Sequence, residues 1–271
     1  MGFPGVRVAA ALVLSAAGCS DPSTERGASS AVFLPSSASV QCPEAGRQWS
    51  IADLKMDFVW LPVLDCWVGT YEVTNAQFRA FQPCHNSGQF SGHDLNRDSQ
   101  PVVQVSYDDV LAFTEWLCWR ERHAGRLGEN WVYRLPTVRE WLTFAQCGQH
   151  ARYPWGDDWP PPGNLNLHGR EGARPECHQI EGHDDGYPVT CPVDEAGSNA
   201  WGLFGVAGNA AEWTSDLFNA KGWRKTCGGS WSSGSPPECQ ILPRQSPATT
   251  RDTDLGFRVV LAHSNPGLGR N

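Results

Sequence analysis

The stretch GGSWSSGSPPEC, residues 228 to 239, carries two kinds of side chain that could do chemistry. The hydroxyl of Ser230 could serve as a nucleophile, and the thiol of Cys239 could bind a metal, attack a substrate or form a disulfide. A hydrolase serine would need a GxSxG turn or recognisable His and Asp partners, and the sequence offers neither for Ser230. The stretch therefore does not predict hydrolase chemistry.

A second set of possible metal ligands is concentrated in one stretch of the chain: His168, Cys177, His178 and His183. Metal coordination requires side chains that converge on one point, and no paired spacing brings two of these together. We therefore expect surface or turn residues here.

Three helices are predicted around these stretches by their capping signals. Thr74 and Thr137 are each followed three residues later by Gln or Glu, and Ser106 is followed by two aspartates in the first turn. Gly125 and Gly148 are expected to end the second and third helices.

The remaining chain predicts short strands and one long irregular segment. Residues 225–234 and 254–263 are interpreted as two strands joined by a loop. Residues 153–193 are dominated by Pro, Gly, Asn, Asp and His, and no helical period survives there. So long a structureless stretch is uncommon unless it is functional or ordered by a ligand.

Composition indicates one turn-rich globule. The 271 residues include 13 Trp, 28 Gly and 20 Pro, and the net charge is −8 without any basic run, which argues against nucleic acid as a partner. We expect a monomer with one domain from residue 42 to residue 264, followed by a disordered tail, residues 265–271.

The N-terminus predicts export. Residues 1–19 contain one arginine, an apolar run too short to span a bilayer, and small residues before Cys19. This layout indicates a signal peptide with a lipobox-like Cys19 as the lipidation site, followed by a flexible tether, residues 20–41. Ser20 after the cysteine favours anchoring in the outer membrane. Ala16 stands where a lipobox usually has Leu, so periplasmic release or secretion remains the alternative.

Ten cysteines in an exported chain indicate an oxidising compartment, where thiols pair. If Cys19 carries lipid, nine remain, and at least one of them stays unpaired. No pair has CxxC spacing, so the sequence predicts neither a zinc knuckle nor a thioredoxin-like motif.

Five stretches occur in an order that resembles the sulfatase-modifying factor family, to which formylglycine-generating enzyme belongs. They are GTYEVTNAQFRAF, YRLPTVREWLTFAQCG, YPWGDDW, GLFGVAGNAAEWTSD, and CGGSWSSG with LGFRVV. The resemblance covers nearly all of residues 58–261. It implies a single α+β domain with low regular secondary structure, related to the C-type lectin fold. It also implies two copper-binding cysteines beyond the Gly-Gly-Ser-aromatic turn, and calcium sites in some members.

This chain departs from the family pattern at both copper positions, which fall at Ser233 and Glu238. Cys239 lies one residue beyond the second position and has no thiol partner nearby. Cu(I) selects soft thiolate ligands, so copper is disfavoured. We expect Cys239 to form a structural disulfide with Cys147 or Cys227.

Calcium is the cofactor that the resemblance favours. One site matches the side chains of Asn166 and Asp185 with the carbonyls of Leu167 and Tyr187, an oxygen-only set that suits a hard cation. The plainer alternative is that Asn166 and the Asp185-Gly186 pair are turn residues.

The family's second calcium site is incomplete in this sequence. It would use Glu212 with the carbonyls of Gly208 and Ala210, but its remaining ligand position is Gly205, which has no side chain.

Two classes of function follow. The first is an exported binding or accessory module that presents a surface cleft beside Ser230 and Trp231 to a peptide or protein. The alternative is an oxidoreductase of the same family, formylglycine-generating or nonheme iron in type, with a displaced active site. The iron histidines of such relatives come largely from an additional helical domain, which these 271 residues do not include.

Overall fold

The computed structural model describes residues 43–264. The predicted signal peptide, tether and tail lie outside the described residues, as do Cys19 and Cys42. The expected domain boundaries therefore stay predictions.

The helices begin where the capping signals predict. Their bounds are α1 (Asn75–Phe81), α2 (Tyr107–His123), α3 (Val138–Ala145) and α4 (Pro236–Cys239), with a 3-10 turn at Ala52–Leu54. Thr74, Ser106 and Thr137 each close a capping box at the start of α1, α2 and α3. Gly125 and Gly148, both at a φ of 72°, follow the ends of α2 and α3 as predicted. The short α4 is not predicted from the sequence.

The strands form two main sheets and one hairpin. They are β1 (Trp49–Ile51), β2 (Met56–Leu61), β3 (Cys66–Gly69), β4 (Gln89–Phe90), β5 (His93–Asp94), β6 (Trp131–Arg134), β7 (Ala211–Leu217), β8 (Trp223–Cys227), β9 (Arg244–Pro247), β10 (Leu255–Gly256) and β11 (Val260–His263). An antiparallel sheet has the order β1-β2-β3-β11-β6, and a second sheet has the order β10-β7-β8-β9. In the second sheet only β10 and β7 run parallel.

The two predicted C-terminal strands are shorter than expected. The first ends at Cys227, so residues 228–234 form a loop. The second is divided into β10 and β11 because the chain crosses from one sheet to the other between them. Arg258 lies at this crossing, fully buried, and donates hydrogen bonds to the carbonyls of Gly69 (2.9 Å) and Thr70 (3.0 Å).

The core lies on both faces of the five-stranded sheet. Trp67 and Val68, adjacent in β3, pack into different apolar clusters because successive strand side chains point to opposite faces. The Trp67 side includes Phe113 of α2, and the Val68 side includes Trp141 of α3. Burial of these side chains supplies the main stabilising term.

Residues 153–193 contain neither a helix nor a strand, as the sequence predicts. Tyr153, Leu165, Leu167 and Ile180 of this irregular segment form a small apolar cluster with Ala207 and Cys239. This cluster anchors the segment to the rest of the domain. Among residues 43–264, no helix is both long and apolar enough to cross a membrane.

Candidate functional site

The loop after β8 is held tightly by its surroundings. A Cβ on Gly234 would lie 1.6 Å from the carbonyl oxygen of His178, and a Cβ on Gly229 would lie 3.1 Å from the carbonyl oxygen of Ala207. Glycine at position 234 is therefore required by direct backbone contact rather than by an unusual φ. The loop is part of the packed body of the protein.

Ser233, at the first expected copper position, is used in the structure of the loop. Its side chain is buried, and its Oγ accepts a hydrogen bond from the N–H of Ser230 at 3.1 Å. Its carbonyl accepts another from the N–H of His168 at 3.0 Å. These bonds fix the hydroxyl within the turn.

Glu238, at the second expected copper position, caps α4. Its Oε2 accepts hydrogen bonds from the N–H groups of Gly234 and Ser235, both at 3.0 Å, and from the Ser235 hydroxyl at 2.7 Å. Burial raises the pKa of Glu238, but the hydrogen bonds from Ser235 and Gly234 outweigh it, so the net shift is downward. The carboxylate therefore stabilises the start of a helix.

Cys239 is an unpaired, buried thiol. All eight described cysteines are unpaired, so the expected disulfide of Cys239 with Cys147 or Cys227 is wrong for this structure. The reason is packing, because Cys239 lies in the apolar cluster of the irregular segment and Cys227 lies in the cluster around Trp141. Burial, with a smaller contribution from Glu238, raises the pKa of Cys239 to about 12.

The cleft expected beside Ser230 and Trp231 is not open at those two residues, since each side chain is 1% exposed. The Trp231 ring packs against Phe90, at 5.2 Å between centroids, and the guanidinium of Arg174 lies over both rings, at 5.1 Å from Trp231 and 4.6 Å from Phe90. Its Nε1 donates to the carbonyl of Thr253 at 3.1 Å. The hairpin β4-β5 and Arg174 thus cover the surface that was expected to be exposed.

A partly exposed cluster of two hydroxyls and one carboxylate lies at the edge of this loop. Ser230 Oγ and Ser232 Oγ donate to the same oxygen of Asp254, at 2.9 and 2.6 Å. Ser232 and Asp254 retain partial solvent exposure. Asp254 is a partner of Ser230 that sequence reasoning misses, because it is 24 residues away and no local pattern links the two.

Asn166, Asp185 and the backbone N–H groups of Leu167 and Tyr187 lie together in the irregular segment. Asp185 accepts hydrogen bonds from the N–H groups of Leu167 and Tyr187, each at 2.9 Å. Asn166 donates to the carbonyl of Val189 at 3.1 Å, while its Oδ1 is buried without a hydrogen-bond partner. The Asn166 Nδ2, and not the Oδ1, faces Asp185, at 3.4 Å from its Oδ1. The buried, unpartnered Oδ1 of Asn166 is the feature that fits an oxygen ligand of calcium.

The expected second calcium site is not supported by the structure. Both oxygens of Glu212 are engaged, one by Arg258 Nη2 at 2.8 Å and the other by Trp141 Nε1 at 2.7 Å. Gly205 supplies no ligand, and the carboxylate of Glu72 lies against it, since a Cβ there would be 2.2 Å from Glu72 Oε2. The charge that balances Glu212 is a guanidinium.

Glu72 is buried close to the charges of Glu212 and Arg258. Glu72 accepts hydrogen bonds from Asn209 Nδ2 at 3.2 Å and from the N–H of Ala210 at 3.1 Å. Burial raises the pKa of Glu72 to about 8 against the opposing effect of Arg258. Gly208 is tied to the first site, because a Cβ there would lie 2.1 Å from the carbonyl oxygen of Asn166.

Two of the histidines expected to be surface or turn residues are buried. His168 is 0% exposed and His183 is 4% exposed. His183 Nε2 lies 2.9 Å from the carbonyl oxygen of Leu165 and 3.4 Å from Asp185 Oδ2, and the Asp185 contact raises its pKa. Both imidazoles are structural parts of the irregular segment. Within residues 43–264, no group of three or more His, Cys, Asp or Glu side chains is arranged to hold a metal ion.

Fold and loop together define a loop-rich α+β domain of C-type-lectin-like architecture. A family model described as "Sulfatase-modifying factor enzyme 1-like domain" matches residues 59–263. The chain belongs to this sulfatase-modifying factor family. Its resemblance to the family is thereby confirmed, and the fold class with it.

Similar proteins include both active and inactive members by name. The formylglycine-generating enzyme of Thermomonospora curvata is 35% identical over 150 residues, which are 55% of this chain and 41% of that protein. That of Mycobacterium tuberculosis is 33% identical over 199 residues, 73% and 54% of the two chains. A Bos taurus protein named "Inactive C-alpha-formylglycine-generating enzyme 2" is 33% identical over 175 residues, 61% and 52%. The chain spans about half the length of these relatives.

Solved structures support the fold alone. CarF superposes with a TM-score of 0.53 at 22% identity, covering 72% of this chain and 85% of CarF. PvdO from Pseudomonas aeruginosa superposes with a TM-score of 0.55 at 21% identity, covering 73% and 80%.

Proposed function

We propose that this protein is a family member without the copper oxidase chemistry, exported and acting as a binding or accessory module. One observation carries the proposal. At the two positions where the family resemblance implies copper thiolates, Ser233 is hydrogen-bonded within a turn and Glu238 caps a helix. Both side chains already serve the structure.

The remaining thiol in this loop is a poor substitute for the missing pair. Cu(I) favours two soft thiolates, whereas hydroxyl and carboxylate oxygens are hard ligands. Burial keeps Cys239 protonated near neutral pH, since its pKa is raised to about 12. The residues present therefore do not fit the copper ion.

The name of the inactive Bos taurus relative supports this reading, because it shows that a protein with this domain need not generate formylglycine. The alternative with nonheme iron finds less support. Such a site needs converging ligands, and the histidines of this chain within the described range are engaged in the irregular segment or lie apart.

The binding surface we propose is the partly exposed edge formed by Ser232 and Asp254. Its carboxylate and hydroxyl groups can accept and donate hydrogen bonds to a peptide or protein partner. The hydrogen bonds from Ser230 to Asp254 and from Trp231 to the carbonyl of Thr253 hold this edge in place.

The test is incubation of the copper-treated protein with a cysteine-containing sulfatase peptide, followed by mass measurement of the peptide. The Thermomonospora curvata relative, assayed in parallel, is the positive control for the peptide and the copper. We expect no aldehyde product above a no-protein blank. Copper-dependent aldehyde formation by this chain would overturn the proposal.

We also propose that Cys19 carries a lipid and holds the protein at the outer membrane. The support is the apolar run and the small residues before Cys19, with a polar tether after it. Mass spectrometry of the mature N-terminus tests this. A mature chain with an unmodified Cys19, or one that begins elsewhere, would favour the secreted alternative.

Calcium at the first site is proposed as the bound ion. Asn166, Asp185 and the carbonyls of Leu167 and Tyr187 would hold it, and its role would be to order the segment around residues 153–193. The buried, unpartnered Asn166 Oδ1 supports this assignment.

A further inference from the structure

A cavity of about 320 Å³ opens between the end of α3 and two loop segments, residues 154–165 and 197–207. Its lining does not include Ser230, Ser232 or Asp254, and no residue of the 228–239 stretch contributes to it. What it binds is therefore independent of the loss of oxidase chemistry proposed above.

The lining of this cavity contains no charged residue. This is unusual for the molecule, whose net charge is −8. Two larger cavities differ in this respect, one lined by Asp53, Asp57, Asp98 and Asp194, and the other by Glu115, Arg122 and Arg134. A charged ligand in the uncharged cavity would lose hydration without gaining an ion pair, so the lining selects for a neutral ligand.

Neutral hydrogen-bonding groups are nevertheless present. The side chains of Gln149, Asn164 and Ser198 line the cavity and make no hydrogen bond within the described residues. Their amide and hydroxyl groups offer donors and acceptors to a ligand. Solvent reaches all three residues.

Other lining residues are fixed by the fold, which gives the cavity a stable shape. Gln146 donates to the carbonyl of Ala151 at 2.6 Å. Asn199 donates to the carbonyl of Phe144 at 2.8 Å and accepts from the N–H of Trp201 at 3.0 Å. A preformed wall of this kind reduces the ordering cost of binding.

Trp155 supplies an aromatic surface. Its ring stacks on Tyr153 at 4.8 Å between centroids with an interplanar angle of 4°, and its Nε1 donates to the carbonyl of Asp158 at 2.9 Å. The indole is thus held in place from one side and at its polar edge, while it lines the cavity and stays partly exposed. Apolar contact with a ligand is available beside the amides.

We propose that this cavity binds an uncharged mono- or disaccharide unit. A sugar ring presents an apolar C–H face, which suits the Trp155 ring, and a rim of hydroxyls, which suits Gln149, Asn164 and Ser198. The volume lies at the lower end of the range for small-molecule sites, about 300 to 1,000 Å³, so it suits a short saccharide better than an extended peptide.

The experiment is calorimetric titration of the mature protein with neutral sugars and their charged counterparts. The neutral probes are glucose, N-acetylglucosamine and maltose, and the charged probes are glucosamine and glucuronate. We expect saturable binding of at least one neutral probe and at least tenfold weaker binding of the charged probes. Failure of all neutral probes, or equal binding of the charged ones, would overturn the proposal.

Two matched variants locate the binding. Asn164→Ala removes the amide donor and acceptor at the rim and should weaken the neutral sugar at least tenfold. Asn130→Ala makes the same change at an exposed position outside the cavity and should leave binding unchanged. Equal affinity in the two variants would contradict the assignment. Binding of a neutral capped tetrapeptide in place of every sugar would replace the saccharide by a peptide and equally refute it.

Discussion

Arg258 and Glu212 form an ion pair without contact to solvent, with Nη2 2.8 Å from Oε1 and both residues 0% exposed. Removal of one partner from such a pair leaves an uncompensated buried charge. We therefore expect Arg258→Ala to lower the free energy of unfolding by about 3–5 kcal/mol. Urea denaturation measures the loss.

The matched control for this variant is Arg47→Ala. Arg47 pairs with Glu44 at 2.9 Å, but their side chains are 70% and 66% exposed. An exposed pair contributes about 0–1 kcal/mol, so this variant should unfold almost as the wild type does. Equal losses in the two variants would show that Arg258 carries no special weight.

Glu72 predicts a pH dependence of stability. Its pKa is raised from 4.5 to about 8 by burial, so the folded state holds a proton that the unfolded chain has released between those values. The contribution of Glu72 to the free energy of unfolding is fully present below pH 4.5 and is lost as the pH rises from 4.5 through about 8. Between pH 5 and pH 8, the melting temperature of Glu72→Gln should therefore fall less than that of the wild type.

The exposed Glu115 provides the comparison, because Glu115→Gln removes a carboxyl without removing a buried one. This variant should follow the wild-type dependence on pH. Parallel curves for wild type and Glu72→Gln would be inconsistent with a raised pKa at position 72.

Gly234 predicts a steric effect. An alanine Cβ at this position would lie 1.6 Å from the carbonyl oxygen of His178, so the loop or the neighbouring segment must move. We expect Gly234→Ala to lower the free energy of unfolding by at least about 1–3 kcal/mol, the typical cost of overpacking. Gly163→Ala meets nothing within 4 Å and should change the melting temperature little. A neutral Gly234→Ala would mean that the contact is not maintained in solution.

Calcium binding through Asn166 and Asp185 predicts thermal stabilisation. A ligand that binds only the folded state adds about 2.7 kcal/mol at a hundredfold excess over its dissociation constant. The melting temperature in calcium should therefore be higher than that in EDTA. Asp185→Asn should abolish the difference, whereas Asp184→Asn, at the exposed neighbouring position, should retain it. Identical curves for the wild type in calcium and in EDTA would remove the ion from the proposal.

The sequence predicts the local parts of this fold well. Thr74, Ser106 and Thr137 identify three helices because a capping box is formed by residues three positions apart. The irregular character of residues 153–193 also follows from local composition. These features need no knowledge of distant contacts.

The parts that escape prediction depend on distant contacts. The bond between Ser230 and Asp254 and the cover that Phe90 and Arg174 place over Trp231 join segments far apart in the chain. The expected disulfide of Cys239 was wrong because its apolar neighbours, and not the number of cysteines, decide where the thiol lies. Residue types alone do not carry this information.

The crossing at Arg258 also affects how the protein unfolds. β10 belongs to one sheet and β11 to the other, and the guanidinium between them donates to carbonyls of Gly69 and Thr70 while it pairs with Glu212 of β7. If either sheet opened, a buried cation would lose part of its acceptors. The two sheets are thus energetically coupled into a single cooperative unit, and their backbone amides should exchange with solvent through one shared opening event.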